Sequence, residues 1–464
     1  MINDSDQILG DRMSRTQSKE ARIGGAKTVV APLYERLPHG PHRLGTEEVI
    51  RNQRTRMHGA MIEAVAANGY EGTSVKQVVS LAGVSRRSFY EQFANKQECF
   101  LATYDVIAGR GAGRVSAAYR AANGGVEDRM HAAFGELGQA MSTNWNSANL
   151  VILEAPKVGA PALLRLRRAS ATFEQMLAAT FEHGSTASPL PGPVIRGIAG
   201  GLHAAMSKCL REGSPEMAPQ LAEEMFDWTL LFQTPSAKQL AERLSERARL
   251  ALVEGRKAPR GAGVNASIAS ERDDRARLLE QALRLAVLEG YRELSAPQIA
   301  DAADVPIDAF FELFDGKDAC FLAALEMLGD QLKGMASDPD LRGSEWPQAV
   351  RRTIGELMRY LAEHPIYAHT IAEGAFAAGP EAAARNLRMT YSVAARLTEG
   401  APEEARSVLV VQGVAGALSH TIRCQVASGQ IQLLSVLSDY LTYIVLTPFI
   451  GAEAAAALLV EEDA

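Results

Sequence analysis

The sequence predicts an all-α protein made of two tandem helical units. Apolar residues recur at helical spacing, as at Met57, Met61 and Ala64. We find no alternation of apolar and polar residues that would indicate strands. A long phrase of the sequence occurs twice at an offset of 221 residues, which places Phe89 on Phe310.

The repeat extends along most of both units. GVSRRSFYEQFANKQECF, which begins at Gly83, matches DVPIDAFFELFDGKDACF, which begins at Asp304, and GYEGTS matches GYRELS upstream. Further along, LEAPKVGAP resembles AEGAFAAGP, and GIAGGL resembles GVAGAL. Because the matches keep their order, we expect two homologous units of roughly 200 residues each.

These matches divide the chain into six expected segments. They are an arm at residues 1–43, a first domain at 44–106, a helical domain at 107–253, a linker at 254–270, an altered copy of the first domain at 271–327, and a second helical domain at 328–464. The arm is polar and the linker is rich in Gly, Pro, Ala and charge, so we expect both to be flexible.

Composition restricts the class of protein. The formal net charge of the 464 residues is −7, so any nucleic-acid site has to be a local basic patch. Four cysteines without close pairing predict a reduced, cytoplasmic protein. The start, MINDSDQ, has no apolar run behind it, and we expect no signal peptide. The apolar tail contains Pro448 and Glu453, and is expected to pack as helix without crossing a membrane.

The stretch TSVKQVVSLAGVSRRSFYEQF, from Thr73 to Phe93, predicts a helix-turn-helix. Thr73 or Ser74 can cap the first helix, Gly83 suits the tight turn, and Ser85 can cap the second helix. The expected buried side consists of Val78, Val84, Phe89 and Phe93. The second helix then presents its arginines outward, where such helices enter the major groove.

The side chains on that outward face suit DNA. An arginine fork can bond guanine O6 and N7 or straddle phosphates, as Arg86 and Arg87 would. Tyr90 offers a hydroxyl to a phosphate and a flat face to a thymine methyl. Lys96 opens the next helix, where an ammonium and free backbone N–H groups can hold a phosphate.

GTSVKQVVSLAGVSRRSFYEQFANKQECFLATYD resembles the DNA-binding domain of TetR-type (tetracycline-repressor-like) bacterial transcriptional regulators. Its G-V-S turn, S-F-Y-E-Q-F core and following N-K-Q-E carry the resemblance, which is strong over residues 51–105 and weaker over 272–327. The resemblance implies, for each copy, three DNA-binding helices followed by ligand-binding and dimerisation helices. It also implies dimers on palindromic operators that release DNA when a small ligand binds.

Carried over position by position, the resemblance implies a set of DNA contacts. Those to phosphates would come from Thr73, Ser74, Tyr90 and Lys96. Those in the groove would come from Ser85, Arg86, Arg87 and Ser88. The segment leading into the first helix would reach backbone or minor groove with Arg43, Arg51 and Arg54. We therefore expect a sequence-specific transcriptional repressor that binds double-stranded operator DNA. We expect this repressor to respond to an unknown small apolar effector.

The second copy departs from this pattern at the functional positions. Ser85-Arg86-Arg87 becomes Pro306-Ile307-Asp308, and Tyr90 becomes Phe311. Residues 50–106 hold seven Lys and Arg against five Asp and Glu, a formal charge of +2, whereas residues 271–327 hold six against thirteen, a charge of −7. Since an acidic surface is repelled by a duplex, we expect the second copy to have kept the fold and lost DNA binding.

Pairing of the copies is predicted by repeated glycines. Gly197, Gly200 and Gly201 recur as Gly413, Gly416 and Ala417 in stretches that are otherwise helical. A glycine inside a helix costs about 1 kcal/mol relative to alanine, which suggests close helix–helix approach. Either the copies pair within one chain, or like copies pair between chains in a homodimer. In the first case palindromic binding by two working heads would need two chains.

Two other classes of function differ from a DNA-binding regulator in what the sequence would have to provide. In a ligand-sensing or protein-interaction module, the acidic second head would bind a basic partner. An enzyme is not expected, because no catalytic or metal-ligand spacing is persuasive, and we expect no cofactor and no metal. Cys99 and Cys320 are expected to be small buried hydrophobes. Four residues of the first copy could line an apolar pocket, although ordinary core is the role expected for them: Trp145, Phe134, Met141 and Phe173.

Overall fold

The computed structural model describes residues 45–183, 190–233, 240, 242, 245, 274–337, 339–343 and 345–460. Within these ranges the regular elements are helices and no residue lies in a strand. The predicted all-α fold with two tandem units is confirmed. The arm at residues 1–43, with Arg43, and the linker at 254–270 lie outside the described residues.

The first copy consists of α1 Thr46–Gly72, α2 Val75–Ala82, α3 Arg86–Tyr90, α4 Lys96–Ala121, α5 Val126–Thr143, α6 Trp145–Asn149, α7 Ala160–His183, α8 Gly192–Glu212 and α9 Ala218–Leu230. A π-helical turn at Leu150–Glu154 and a 3-10 turn at Ala155–Val158 join α6 to α7. Residue 106, the expected domain boundary, lies inside α4, so one helix belongs to both the head and the regulatory part.

The second copy repeats this order. It consists of α10 Asp274–Leu285, α11 Ala296–Ala302, α12 Ile307–Leu313, α13 Lys317–Met335, α14 Trp346–Glu363, α15 Pro365–His369, α16 Ala375–Ala377, α17 Pro380–Leu397, α18 Val408–Ala427, α19 Ser438–Ile450 and α20 Ala452–Val460. π-helical turns at Ala286–Gly290 and Thr370–Gly374 follow α10 and α15. Residue 327 lies inside α13, as residue 106 lies inside α4.

The structure corrects the register of one sequence match. Gly159 precedes α7 with φ 101°, and Gly379 precedes α17 with φ 111°, a backbone region that favours glycine. These two glycines are therefore structurally equivalent, and the π-helical turns before them align with them. As a result Glu154 matches Gly374 rather than Glu373, so the match of LEAPKVGAP on AEGAFAAGP was wrong by one residue.

Buried apolar side chains form one core in each head and a single core that both regulatory halves share. The first head is closed around Phe89, Phe93 and Phe100, and the second around Phe310 and Phe321. The shared core runs from α5 and α8 of the first copy into α14, α18 and α19 of the second. Because neither regulatory half has a separate main core, the two halves are expected to fold together.

Helices α8 and α18 cross at backbone contact distance. A Cβ added to Gly416 would lie 2.4 Å from the carbonyl oxygen of Gly200, and one added to Gly200 would lie 2.8 Å from that of Gly416. The predicted close approach is confirmed. Gly200 and Gly416 hold matching places in the two copies, so the crossing lies on a pseudo-two-fold axis.

Contacts on either side of this crossing are reciprocal. A Cβ on Gly201 would lie 2.9 Å from the carbonyl oxygen of Gly413, and a Cβ on Gly197 would lie 3.6 Å from the Ala417 Cβ. Gly197 matches Gly413, and Gly201 matches Ala417, so each contact has its counterpart. The copies therefore pair within the chain as the subunits of a symmetric dimer would, one of the two arrangements compatible with the sequence.

The two heads also touch. The Arg292 guanidinium lies 2.9 Å from the Glu71 carboxylate, and these residues match at the offset of 221. Both side chains are mostly exposed, so the pair adds little stability. Its position nevertheless shows that the pseudo-two-fold relation extends from the regulatory core to the heads.

One helical stretch of the described residues, Ile431–Ile450, is long and apolar enough to cross a membrane by length and composition, and 56% of it is buried inside the protein. Tyr443, Ile444 and Val445 in α19 are fully buried in the shared core. Burial in the core accounts for the apolar character of α19, as the sequence predicted for this tail.

Candidate DNA-binding interface

Local side-chain caps define the α2–α3 helix-turn-helix. The Ser74 hydroxyl accepts from the Gln77 backbone N–H at 3.3 Å, and the Gln77 side chain accepts from the Ser74 N–H at 2.7 Å, a reciprocal capping box. Gly83 ends α2 at φ 60°. Ser85 then caps α3, accepting from the Ser88 N–H at 3.0 Å. The turn that the sequence predicted is present with its predicted caps.

Apolar contacts fix the orientation of α3. Phe89 and Val78 are fully buried and Phe93 is 1% exposed, as predicted, while Val84 is half-buried. The rings of Phe89 and Phe93 lie 5.6 Å apart between centroids. Since Phe89 anchors one side of a helix of only five residues, the other side has to face solvent.

The solvent-facing side of α3 carries the arginines. Arg86, Arg87 and Tyr90 are exposed, with 57% of Tyr90 accessible. The Arg87 guanidinium lies 2.9 Å from the Glu91 carboxylate, but its side chain remains 89% exposed. An exposed pair of this kind is weak enough to be exchanged for a phosphate or a base edge.

The remaining predicted positions lie around this face. Ser85 is exposed and Ser88 half-buried, and their hydroxyls hydrogen-bond to each other at 2.9 Å. On α1, Arg51 and Arg54 are exposed, and the Arg54 guanidinium lies 4.9 Å from the centre of the Phe93 ring. The structure thus brings these side chains to the same head as α3.

Thr73 does not have the exposure that a phosphate contact needs. It is 3% exposed, and its hydroxyl donates to the Gly69 carbonyl at 2.7 Å. That carbonyl belongs to the kinked end of α1, where Gly69 has φ 67°. The phosphate contact of Thr73 stays a prediction, and in this conformation the Thr73 hydroxyl closes the end of α1.

Lys96 is half-buried and has a structural role of its own. Its ammonium donates to the Tyr70 carbonyl at 2.8 Å and lies 4.2 Å from the centre of the Tyr70 ring. In the second head Lys317 donates to the Tyr291 carbonyl at 3.1 Å and to the Leu294 carbonyl at 2.7 Å. A lysine ammonium at the C-terminal end of a helix donates to carbonyls that have no partner within the helix. The negative end of the helix dipole also attracts it. This geometry favours helix capping over the predicted phosphate contact.

The start of α4 is also occupied from within the protein. The Asn95 side chain accepts from the Glu98 N–H at 2.9 Å, and the Glu98 carboxylate accepts from the Ala94 N–H at 2.6 Å. The sequence predicted that backbone N–H groups at this helix start would be free to hold a phosphate, but these two are already hydrogen-bonded. A carboxylate beside the helix N-terminus opposes a second anion there. The strongest remaining candidates are therefore the exposed groups on α3.

The second head has the same backbone with a different surface. Asp304 takes the place of Gly83 and has φ 52°, a left-handed conformation otherwise found, among the described residues, at glycines. On α12, Phe311 is 55% exposed and Ile307 38% exposed. The carboxylates of Asp308 and Glu312 lie on the same short helix and are exposed. This face is apolar and acidic where its counterpart on α3 is basic.

A residue that sequence reasoning missed connects the first head to the regulatory half. Glu154 is 7% exposed, and its carboxylate accepts from the Tyr70 N–H at 2.8 Å and pairs with the Lys157 ammonium at 2.5 Å. Residues 70 and 154 are far apart in sequence, so no local pattern announced the contact. The matching position in the second copy is Gly374, which has no side chain to make it.

The residues weighed as pocket lining lie in different clusters. Phe134 is buried in the shared core with Phe173 packed against it, whereas Met141 and Trp145 belong to a separate small cluster. A cleft of about 480 Å³ lies instead between α10 and α13, with Arg275, Glu326 and Asp330 on its walls. Three of its six lining residues are charged, whereas the expected effector is a small apolar molecule.

Comparison with known proteins agrees with the helix-turn-helix. The family model for bacterial regulatory proteins of the tetR family matches residues 60–103 and again residues 278–324. No curated protein matches the chain significantly.

Among solved structures, the fatty acid degradation regulator FadR from Bacillus halodurans is 16% identical, with a TM-score of 0.33 over 37% of this chain and 96% of its own. The FadR from Bacillus subtilis, solved in complex with stearoyl-CoA, is 14% identical, with the same TM-score and coverage. Both likenesses are too distant to indicate a ligand or an operator for this chain. The two family matches fall on the two heads, so each head is similar to the N-terminal domain of the tetR family of bacterial regulatory proteins.

Proposed function

We propose that the chain is a DNA-binding transcriptional regulator that reads operator DNA through α3 of the first head alone. The observation that carries the proposal is the contrast between two faces on equivalent backbones. Arg86 and Arg87 project from α3, and Ile307 and Asp308 take their places on α12. Arginine binds guanine and phosphate, whereas a carboxylate is repelled by the duplex.

Pairing within the chain determines how many working heads the protein has. Because α8 and α18 close the pseudo-dimer, one chain presents one basic head and one acidic head. Such an object is suited to a single half-site, and a palindrome would require two chains. The remaining contacts that we assign to DNA are made by Ser74, Ser85, Ser88, Tyr90, Arg51 and Arg54.

The repressor sense and the response to a small apolar effector rest on the family resemblance. A physical route from regulatory half to DNA head passes through Glu154, whose carboxylate meets the Tyr70 N–H. If an effector displaces the π-helical turn that carries Glu154, α1 of the first head loses a hydrogen bond. The head would then change its orientation relative to the operator.

A second candidate function is supported by the surface of the second head. Phe311, Ile307 and Leu313 are exposed large apolar side chains on one short helix. Exposed carboxylates accompany them, notably Asp308 and Glu312. Apolar groups with a single sign of charge suit a basic protein partner. In this alternative the acidic head binds a protein while DNA binding is secondary.

The proposal is tested by determining which duplexes of a random pool the full chain retains. The double variant Arg86→Ala/Arg87→Ala should no longer retain these duplexes. Its affinity for the duplex that the native chain binds best should fall by about 1–3 kcal/mol per base contact removed. The matched variant Ile307→Ala/Asp308→Ala in the second head should retain the same sequences as the native chain. Loss of retention in the second-head variant, or full retention in the arginine variant, would overturn the assignment.

A further inference from the structure

Three side chains gather at the contact between the two copies, away from the DNA-binding face. Cys424 Sγ lies 3.4 Å from Nε2 of His420, one helical turn earlier on α18. The same Nε2 lies 3.6 Å from Oε1 of Glu174, on α7 of the first copy. One copy thus supplies the thiol and the imidazole, and the other supplies the carboxylate.

The imidazole of this cluster is held by close packing. A Cβ added to Gly200 would lie 2.4 Å from the His420 Cβ, so the histidine sits directly over the glycine of α8. The His420 side chain is 14% exposed and that of Glu174 is 20% exposed, while Cys424 is half-buried. The half-buried thiol therefore lies beside a histidine whose position the helix crossing restricts.

The surrounding charges favour the thiolate at Cys424. Burial raises the pKa of its thiol, but the hydrogen bond and the charge of His420 outweigh burial and lower the pKa below the ordinary value, with a smaller contribution from Arg196. The Glu174 carboxylate raises the pKa of the Cys424 thiol, and it stabilises the imidazolium of His420. Arg423 on α18 and His203 on α8 are the other titratable groups facing the cluster.

The other three cysteines differ from Cys424. Cys99 and Cys320 are fully buried, as the sequence predicted, and burial raises the pKa of each thiol to about 12. Burial also raises the pKa of the Cys209 thiol. All four are free cysteines. Since the thiolate is the reactive form, these three should be inert under conditions in which Cys424 reacts.

We propose that Cys424 is a peroxide-reactive thiol, positioned by His420, at the contact between the two copies. The thiolate sulfur attacks one oxygen of hydrogen peroxide, the O–O bond breaks, and an S–OH bond forms. Sulfur supplies two electrons, and the departing hydroxide takes the proton that His420 removed from the thiol. The balance is one thiol and one peroxide giving one sulfenic acid and one water. This inference does not depend on the proposed DNA function, since its tests need no DNA.

The first copy offers an internal control. Helices α8 and α18 begin at matching residues, so Ala204 matches His420 and Lys208 matches Cys424. The Lys208 side chain is 32% exposed and pairs with Glu212 at 3.5 Å. The variant Lys208→Cys would place a thiol at the equivalent surface with no histidine one turn before it.

The experiment treats the full chain with hydrogen peroxide, traps sulfenic acid with dimedone, and measures each cysteine by peptide mass spectrometry. Cys424 should be labelled first in the native chain. His420→Gln should slow labelling at pH 7 several-fold, because it removes the hydrogen bond and the charge that lower the pKa of the Cys424 thiol. The Cys introduced by Lys208→Cys should also react several-fold more slowly than Cys424.

The proposal is overturned if Cys424 is labelled no faster than Cys99 and Cys320, or if His420→Gln leaves its rate unchanged in a folded chain. Should that variant fail to fold, the native chain alone decides. Its rate of alkylation by iodoacetamide should be half-maximal at a pH below the ordinary thiol value of about 8.5. A midpoint at or above that value would contradict the proposal.

Discussion

The Glu154 carboxylate accepts a hydrogen bond of 2.8 Å from the backbone N–H of Tyr70 and joins the DNA-binding head to the regulatory half. Glu154→Ala would leave that buried N–H and the Lys157 ammonium without this partner. We expect the free energy of unfolding to fall by about 1–3 kcal/mol, measured by chemical denaturation.

The matched control for this change is Glu373→Ala. In the sequence match Glu373 is equivalent to Glu154. In the structure Glu373 lies one residue before the position equivalent to Glu154, and it is exposed. Its removal should change the free energy of unfolding by less than about 0.5 kcal/mol, as for ordinary surface positions. Equal losses in both variants would contradict the register set by Gly159 and Gly379.

Lys96 and Lys317 are expected to stabilise their heads to a similar degree. Lys96→Met and Lys317→Met each remove an ammonium that binds the carbonyls at the end of the first helix. Each should lower the free energy of unfolding by roughly 1–2 kcal/mol, measured by denaturation of the full chain. If Lys96 instead serves mainly as a phosphate contact, its variant will lose DNA affinity and keep native stability.

The glycines at the helix crossing should tolerate no added methyl group. In Gly416→Ala the new Cβ would lie 2.4 Å from the Gly200 carbonyl oxygen, and a backbone atom cannot yield cheaply. A loss of roughly 1–3 kcal/mol in the free energy of unfolding is expected. Gly355→Ala is the control, because nothing lies within 4 Å of its added Cβ in the middle of α14, and it should stabilise by up to about 1 kcal/mol.

Tyr90→Phe gives the first head the aromatic residue that the second head has at this place. With 57% of Tyr90 exposed, the stability of the free protein should not change. Affinity for a selected duplex should fall by about 0.5–1.5 kcal/mol if the hydroxyl bonds a phosphate, as fluorescence anisotropy would measure. Phe311→Ala should leave the affinity as it is, and an equal loss there would indicate that both heads touch DNA.

Acid should destabilise the first head through His58. Burial, with help from the charges of Arg54 and Arg110, lowers the pKa of His58 from 6.5 to about 4. The unfolded chain then binds a proton between pH 6.5 and 4 that the folded chain does not bind, so stability falls as the pH falls through this window.

His58→Gln removes this titration and should flatten the fall between pH 6.5 and 4. After allowance for the partial exposure of the ring, its contribution is on the order of 1–2 kcal/mol. Denaturation curves of both proteins across that range provide the measurement. Parallel curves would mean that His58 is not the group responsible.

Local signals predicted the head well. Ser74, Gly83 and Ser85 each act within a few residues of themselves, through a cap or a left-handed turn, so their roles can be derived from neighbouring letters. Thr73 shows the limit of this reasoning. A hydroxyl at a helix start is equally suited to solvent or to a carbonyl, and only the kink at Gly69 directs it inward.

Long-range relations could not be derived in the same way. The repeated glycines predicted a close helix contact, but both modes of pairing satisfy that pattern equally. The shared core that joins α8, α18 and α19 distinguishes them in the structure. His420 and Cys424 carried a detectable signal, since residues four apart share a helical face, but the carboxylate of Glu174 comes from the other copy.

Selection of bound sequences from a random duplex pool by the full chain tests the central claim most directly. If the copies pair within the chain and only α3 reads DNA, the enriched motif will be a single half-site without internal symmetry. The complex formed on it will contain one chain by mass. A palindromic motif bound by a single chain would contradict this account, because the acidic head of that chain would then have to read DNA as well.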